Sequence, residues 1–226
     1  MSRPSDLETL QEHPMSVTSG LDLPQGRPAP TDVEIHPLLA ARWSPRAIAS
    51  RPVDPRRLRA VFEAARWAPS TFNDQPWRFL VATPDDPAWL ERLRGFLSEG
   101  NAWARRAPVL VASAYRTTFT RDDRPHRLAL RDLGAAEENA FLEAFHQGLV
   151  MHQMAGFDHE RVREELLPDG FEPGSMWAIG HPGEPADLAA LPERKRDAET
   201  APRRRRPLAE ATFGAEWGDP AAFLEP

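Results

Sequence analysis

Apolar and polar positions follow two rhythms along this chain, one of helices and one of strands, and its first stretch follows neither. Residues 1–35 are polar and broken by Pro4, Pro14, Gly20, Pro24, Gly26, Pro28 and Pro30, which predicts a disordered, proline-rich extension. Met15 offers an alternative start inside it. A folded domain is expected over 36–217 and a short tail over 218–226. Pro37 to Ala41 predicts a short helix, and Asp54-Pro55 supplies a capping carboxylate followed by proline at the first helical position. Leu58, Val61, Phe62, Ala65 and Ala68 then recur at helical spacing, and Trp77 to Thr83 predicts a strand. The next helix carries Leu90, Leu93 and Leu97 on one side and is expected to stop at Gly100. Residues 108–115 form a nearly continuous apolar run, the pattern of a buried strand.

Residues 116–127 are charged and predict a loop, after which a long helix is expected over 128–147. Its apolar side, Leu130, Leu133, Phe141, Ala144 and Phe145, is interrupted by Glu137, Glu138 and Asn139. Residues 149–157 predict a strand, Asp158 caps a helix through Leu167, and residues 175–180 predict a further strand. Beyond Gly183 a charged, proline-rich arm is expected to be solvated until Leu208, Phe213 and Trp217, which would be buried on a second copy of the chain. Helices and strands mix without strict alternation, so the expected class is α+β.

Composition narrows the chemistry. At 226 residues the chain is one domain with tails, and a net charge of −6 with pI about 5.7 argues against a dedicated nucleic-acid binder, which would be basic. The absence of cysteine excludes disulfides, thiolate nucleophiles, thiolate zinc sites and cysteine-held iron–sulfur clusters. No apolar run approaches the ~20 residues of a membrane span, and no basic-then-apolar leader opens the chain. A cytoplasmic protein with neither membrane nor nucleic-acid partner is expected.

Three stretches carry candidate chemistry. Between Pro69 and Pro76 lie Ser70, Thr71, Phe72, Asn73, Asp74 and Gln75, a polar loop whose carboxamides offer both donors and acceptors to a planar heteroaromatic edge. The same residues also suit Asx and ST turns that satisfy only their own backbone. In Arg42-x-Ser44-x-Arg46 alternate residues point one way if the segment is extended, and guanidinium forks suit phosphate oxygens. The run Arg203 to Arg206 is a further cation source or a solvated tail. His146, His152 and His159 lack metal-ligand spacing, so no metal is expected. His152 and Gln153 either pack or line a substrate face, and Trp103, Tyr115 and Phe119 are either core or an aromatic lid.

Taken together, RWSPRAI at 42–48, ARWAPSTFNDQPWRFLVAT at 65–83, NAWARRAPVL from Asn101, GL and HQMAGFD within 148–158, and RRPL at 205–208 resemble the nitroreductase family of FMN-dependent NAD(P)H oxidoreductases. The resemblance implies a homodimer of α+β fold, with a mainly antiparallel sheet flanked by helices and FMN at the dimer interface. By this likeness Arg42, Ser44 and Arg46 bind the ribityl and phosphate groups, joined at the phosphate by Arg203, Arg205 or Arg206. Pro69 and Ser70 would come from the partner subunit with Asn73, while Gln75 and Asn101 contact the polar part of the isoalloxazine or the ribityl chain. The backbone of Met154, Ala155 and Gly156 would approach flavin N5, which a glycine without Cβ permits. The implied reaction is ping-pong, from NADH or NADPH through N5 to a nitroaromatic, quinone or similar planar acceptor, with no catalytic side chain. Two other functions fit the same residues less fully. One is a specialised flavoenzyme of this fold, a dehydrogenase or reductive dehalogenase of one metabolite; the other is a flavin-free regulatory or polyanion-binding protein.

Overall fold

A computed structural model describes residues 27–189 and 191–224. In chain order the elements are α1 (Pro37–Ala41), β1 (Ile48–Ala49), α2 (Pro55–Arg66), β2 (Trp77–Ala82), α3 (Pro87–Arg94), β3 (Val109–Arg116), α4 (Ala129–His146), β4 (Val150–Met154), α5 (His159–Leu166), β5 (Phe171–Pro182), α6 (Pro185–Ala189) and α7 (Glu193–Thr200). Three helices start where an aspartate stands. The Asp54, Asp86 and Asp158 carboxylates accept from the backbone N–H groups of Arg56, Trp89 and Arg161 at 2.8, 3.0 and 3.1 Å, covering donors that a helix leaves without partners.

All strand pairs are antiparallel. β2 pairs with β3 from Trp77↔Tyr115 to Ala82↔Leu110, β3 with β5 from Val109↔Ile179 to Arg116↔Phe171, β4 with β5 from Val150↔Gly180 to Met154↔Met176, and β1 with the end of β5. Side chains alternate between the two faces of the sheet. Val109, Val111, Met151, Trp177 and Ile179 pack with Leu58, Val61, Ala65, Leu133, Ala140 and Phe141 of α2 and α4. Their neighbours Leu110, Ala112, Val150, Met154, Met176 and Ala178 pack with Leu90, Leu93, Trp103 and Val162 on the side of α3 and α5. The expected mainly antiparallel sheet flanked by helices is what the chain forms, and each large apolar side chain so buried contributes ~1.5–3 kcal/mol.

Several boundaries differ from the expectation. α3 stops at Arg94 rather than Gly100, because Leu97 leaves the helix to bridge Phe157, and a 3-10 run follows over Glu99–Arg106. β1 carries no local signal, and β5 begins at Phe171 rather than 175 because its first residues have β3 to pair with. Leu130 is exposed, not on the buried side of α4. The arm after Gly183 is not simply solvated: it forms α6 and α7 and buries Leu191 and Glu199. Of the expected extension, residues 1–26 lie outside the described residues. From there the chain is tied down, Arg27 donating to the carbonyls of Ala198 and Glu199 and Ala29 N–H to Ala40 O. No helix among the described residues is long and apolar enough to cross a membrane.

Candidate functional site

The site is built along β4. One edge of this strand is taken by β5, and the other pairs with no strand among the described residues. At its end the chain turns through exposed Ala155 into Gly156, whose carbonyl accepts from Ser98 Oγ at 2.7 Å, Asn101 Nδ2 at 3.0 Å and Ser98 N–H at 3.2 Å. A Cβ on Gly156 would stand 2.7 Å from Asn101 Nδ2 and 2.8 Å from Ser98 Oγ, so any side chain would dislodge both donors. The structure thus gathers Asn101 with Met154, Ala155 and Gly156, four of the residues expected to meet a flavin.

A basic cleft of about 430 Å³ is lined by Arg42, Arg203, Arg204, Arg205 and Arg206, with Val33, Leu39 and Leu208 among its apolar walls. Arg203 is fixed there by donating from Nη1 to the carbonyls of Arg27 at 2.5 Å and Ala40 at 2.9 Å. Burial, then the charges of Arg42, Arg205 and Arg27, push the pKa of its guanidinium down, so its neighbouring cations outweigh Asp32, which also lines the cleft. Arg42 lies 4.8 Å from the centroid of the Phe141 ring and 3.5 Å from Glu138, and its buried Nε has no hydrogen-bond partner.

Arg46 goes elsewhere. Its Nη1 donates to Glu199 Oε1 at 2.8 Å and its backbone N–H to Oε2 at 3.0 Å, and the Glu199 side chain is 2% exposed. Arg42 and Arg46 therefore do not share one target, as extended spacing had predicted: the first faces the cleft, the second faces α7. Half-buried Ser44 stands between them, and Pro45 is tied to β4, its carbonyl 3.1 Å from His152 Nδ1. His152 packs edge-on against the buried Trp103, with ring centroids 4.7 Å apart. Burial, then Arg46, lowers its pKa to about 4, so at neutral pH the ring is uncharged and Nδ1–H donates to Pro45.

This has a sign that can be measured. A histidine whose folded pKa is depressed contributes stability that is full above the unfolded value of 6.5 and is lost as pH falls through about 4. The loss attributable to this ring is about 3 kcal/mol. Urea midpoints at pH 7 and pH 4 should differ less in His152→Gln than in the parent; an equal difference would mean that the ring is not buried neutral.

The loop between Pro69 and Pro76 is held in strained backbone. Phe72, Asn73 and Gln75 have φ of 53°, 57° and 51°, the left-handed region that side chains disfavour. Asp132 accepts from Thr71 N–H at 2.8 Å, Ser70 Oγ accepts from Gln75 N–H at 3.1 Å, and Asp74 Oδ1 accepts from Thr120 N–H at 2.9 Å. Gln75 Nε2 donates to the Asn73 carbonyl at 3.1 Å and to its Oδ1 at 3.2 Å, so within one chain the Gln75 carboxamide is turned onto Asn73. Phe72, 72% exposed, meets Phe119 edge-on, and Phe119 stacks on His126. Of the three aromatics considered for a lid, only Phe119 adjoins this loop; Trp103 is buried beside His152, and Tyr115 packs with the α2 and α4 side. None of the residues from Pro69 to Gln75 lines the basic cleft.

Two residues escaped sequence reasoning. Glu199 finds Arg46 153 positions away, and no local pattern announces that pair. Glu137 did leave a signal, since a charge inside the apolar stripe of α4 marks either a stripe misread or a buried acid; the structure shows the acid buried.

Comparison with known proteins gives the family. Residues 39–101 match the nitroreductase family. A 15.4 kDa protein encoded in the ask 5′ region of Mycolicibacterium smegmatis is 37% identical over 128 residues, spanning 57% of this chain and 84% of that one. An NADH dehydrogenase of Thermus thermophilus is 31% identical over 175 residues, spanning 63% and 84% of the two chains. Among solved structures, an oxidoreductase containing FMN superimposes with a TM-score of 0.77 at 33% identity, covering 84% of this chain and 96% of that one.

Proposed function

The chain belongs to the nitroreductase family, and from that premise we propose that it is an FMN-dependent oxidoreductase that transfers hydride from NADH or NADPH to a planar organic acceptor such as a nitroaromatic or quinone, as a homodimer. The carrying observation is the convergence of Arg42, Arg203 and Arg205 on one cleft, with Arg42 Nε unpartnered among the described residues and the Arg42 segment joined through Pro45 to His152 of β4. Cations pressed together in this way are stabilised by an anion, and a phosphate dianion accepts several of their donors at once. The residues fit the cofactor.

When bound, FMN supplies the two-electron hydride chemistry. Arg42 and Arg203, with Arg205 and Arg206, would hold its phosphate. Pro45, tied to His152, keeps the Arg42–Arg46 segment beside β4, so residues that would hold the phosphate and residues that would meet the ring are anchored to one strand. Gly156, without a Cβ, lets Ser98 and Asn101 come close enough to fix its carbonyl, and so sets the backbone at the β4 end where a ring would lie. No side chain here is placed as a nucleophile, in keeping with a reaction in which the protein orients the reactants and excludes water. Pro69, Ser70 and Asn73 would act across the dimer, which accords with their standing outside the cleft of their own chain. Exposed Val33, Ile35, Leu39 and Leu208 around the cleft, together with Trp217 at 93% exposure, supply apolar surface for a second copy.

The test is a visible spectrum of the purified protein with FMN, followed anaerobically by NADH or NADPH, with light scattering on the same sample. A bound-flavin spectrum bleached by either nicotinamide, at twice the 25.4 kDa chain mass, is the expected result. No flavin binding would sink the reading.

A further inference from the structure

Glu137 is the buried group that this mechanism leaves unused. It stands on α4 with its carboxylate behind β4 and is 9% exposed. Oε1 accepts from Ser113 Oγ at 2.6 Å, Ser175 Oγ at 2.9 Å and Trp177 Nε1 at 3.4 Å; Oε2 accepts from Gln153 Nε2 at 3.1 Å. β3, β5 and β4 thus each send a neutral donor to one carboxylate. Even the backbone makes room: a Cβ on Gly174 of β5 would stand 2.3 Å from Leu133 Cδ2 and 2.6 Å from Ser113 Oγ.

Among the described residues nothing charged faces this acid. The strands offer only Ser113, Ser175, Trp177 and Gln153, and α2 presents Phe62, stacked on Trp177 at 6.2 Å. On α4 itself Glu138 turns to Arg42 and Asp132 to Thr71 and Arg131; His152 on β4 turns to Pro45 on the opposite face of the sheet. A buried carboxylate without a cation costs several kcal/mol, which an apolar residue in its place would avoid, so stability does not explain it. Its position offers an explanation. Gln153 directly precedes Met154 at the candidate cofactor edge, and one of its amide N–H groups is committed to Glu137, which fixes the plane of the carboxamide.

We propose that Glu137 is a positioning residue for the cofactor: its carboxylate fixes Gln153 and with it the β4 edge, and its buried negative charge lowers the reduction potential of FMN bound there. The inference rests on the flavin reading above. Reduction adds negative charge to the cofactor, and a nearby anion in a poorly screened interior opposes it. Burial pushes the Glu137 carboxyl pKa up, against the hydrogen bonds of Ser113, Ser175 and Trp177. The opposing charge is therefore present only above a pH higher than the usual carboxylate range, and the potential should carry that titration.

The experiment is an anaerobic potential titration of the FMN-loaded protein between pH 5 and pH 9, for the parent, Glu137→Gln and Gln153→Met. The parent trace is expected to show an inflection that Glu137→Gln lacks. Above it the Glu137→Gln potential is higher by about 30 mV, a tenfold gain in relative affinity for reduced FMN in a two-electron couple; below it the two coincide. Gln153→Met, which removes a donor to the carboxylate, should move the inflection to higher pH. Superimposed traces, or an inflection that survives in Glu137→Gln, overturn the inference while leaving the flavin reading intact. If Glu137→Gln does not fold, a parent trace without the inflection, or one that Gln153→Met leaves in place, overturns it equally. A parent protein that retains no FMN overturns both.

Discussion

Arg42→Ala combined with Arg203→Ala is expected to abolish FMN retention through purification. Each removes a charge-assisted hydrogen bond worth ~1.5–3 kcal/mol, so each single variant should weaken FMN about tenfold to a hundredfold, and the pair by roughly 10²–10⁴. Non-additivity is expected, because the two guanidinium groups already repel one another: the charge of Arg42 helps lower the Arg203 pKa. Removing one cation relieves the other and recovers part of the cost. Thermal stability without FMN should change little in Arg42→Ala, whose ion pair is with Glu138, 44% exposed, and more in Arg203→Ala, which frees the carbonyls of Arg27 and Ala40. Fluorescence titration of FMN measures the affinity, and an unchanged dissociation constant in the double variant would mean that the phosphate is held elsewhere.

Arg46→Ala should behave in the opposite way, with its largest effect on the protein without cofactor. It strands the Glu199 carboxylate, 2% exposed, with the backbone N–H of residue 46 as its one remaining partner among the described residues. Removing one partner of a buried pair costs ~3–5 kcal/mol, and the 26% exposure of the Arg46 side chain places this case at the low end. At about 2–4 °C per kcal/mol for a chain of this size, the melting temperature should fall by roughly 6–12 °C. The double variant Arg46→Ala/Glu199→Ala should recover part of that loss. A full-strength melting transition in Arg46→Ala, with FMN affinity reduced as much as in Arg42→Ala, would return Arg46 to the phosphate and make the Glu199 pair incidental.

These two arginines also mark how far the sequence can be read. Arg42-x-Ser44-x-Arg46 announces phosphate chemistry by composition and spacing, but spacing says nothing about what lies 153 residues further along, and Glu199 takes Arg46 away. Local instructions were legible. Asp54-Pro55 starts α2 as its chemistry requires, the prolines bound the polar loop, and apolar runs mark β2 and β3. What was not legible depends on distant partners: β1 is a strand only because Pro182 and His181 lie opposite, and α7 is buried in part only because Arg46 and Arg27 reach it. Glu137 lies between these cases. Its placement in the stripe of α4 was visible, whereas its four partners on three strands come from a sheet that no local pattern assembles.

The loop that holds Phe72, Asn73 and Gln75 at positive φ has a bearing on any attempt to engineer this enzyme. Non-glycine residues in such backbone each store of order 1–3 kcal/mol, and here they fall within four consecutive positions. Glycine at any of them relaxes that backbone, so a screen for heat resistance alone would be drawn towards this stretch. It would be selecting against the residues that give the loop its shape. If the loop meets the flavin as proposed, the part of the molecule most easily made tougher is the part least free to change, and a useful library would hold 69–77 constant while varying the exposed faces of the helices.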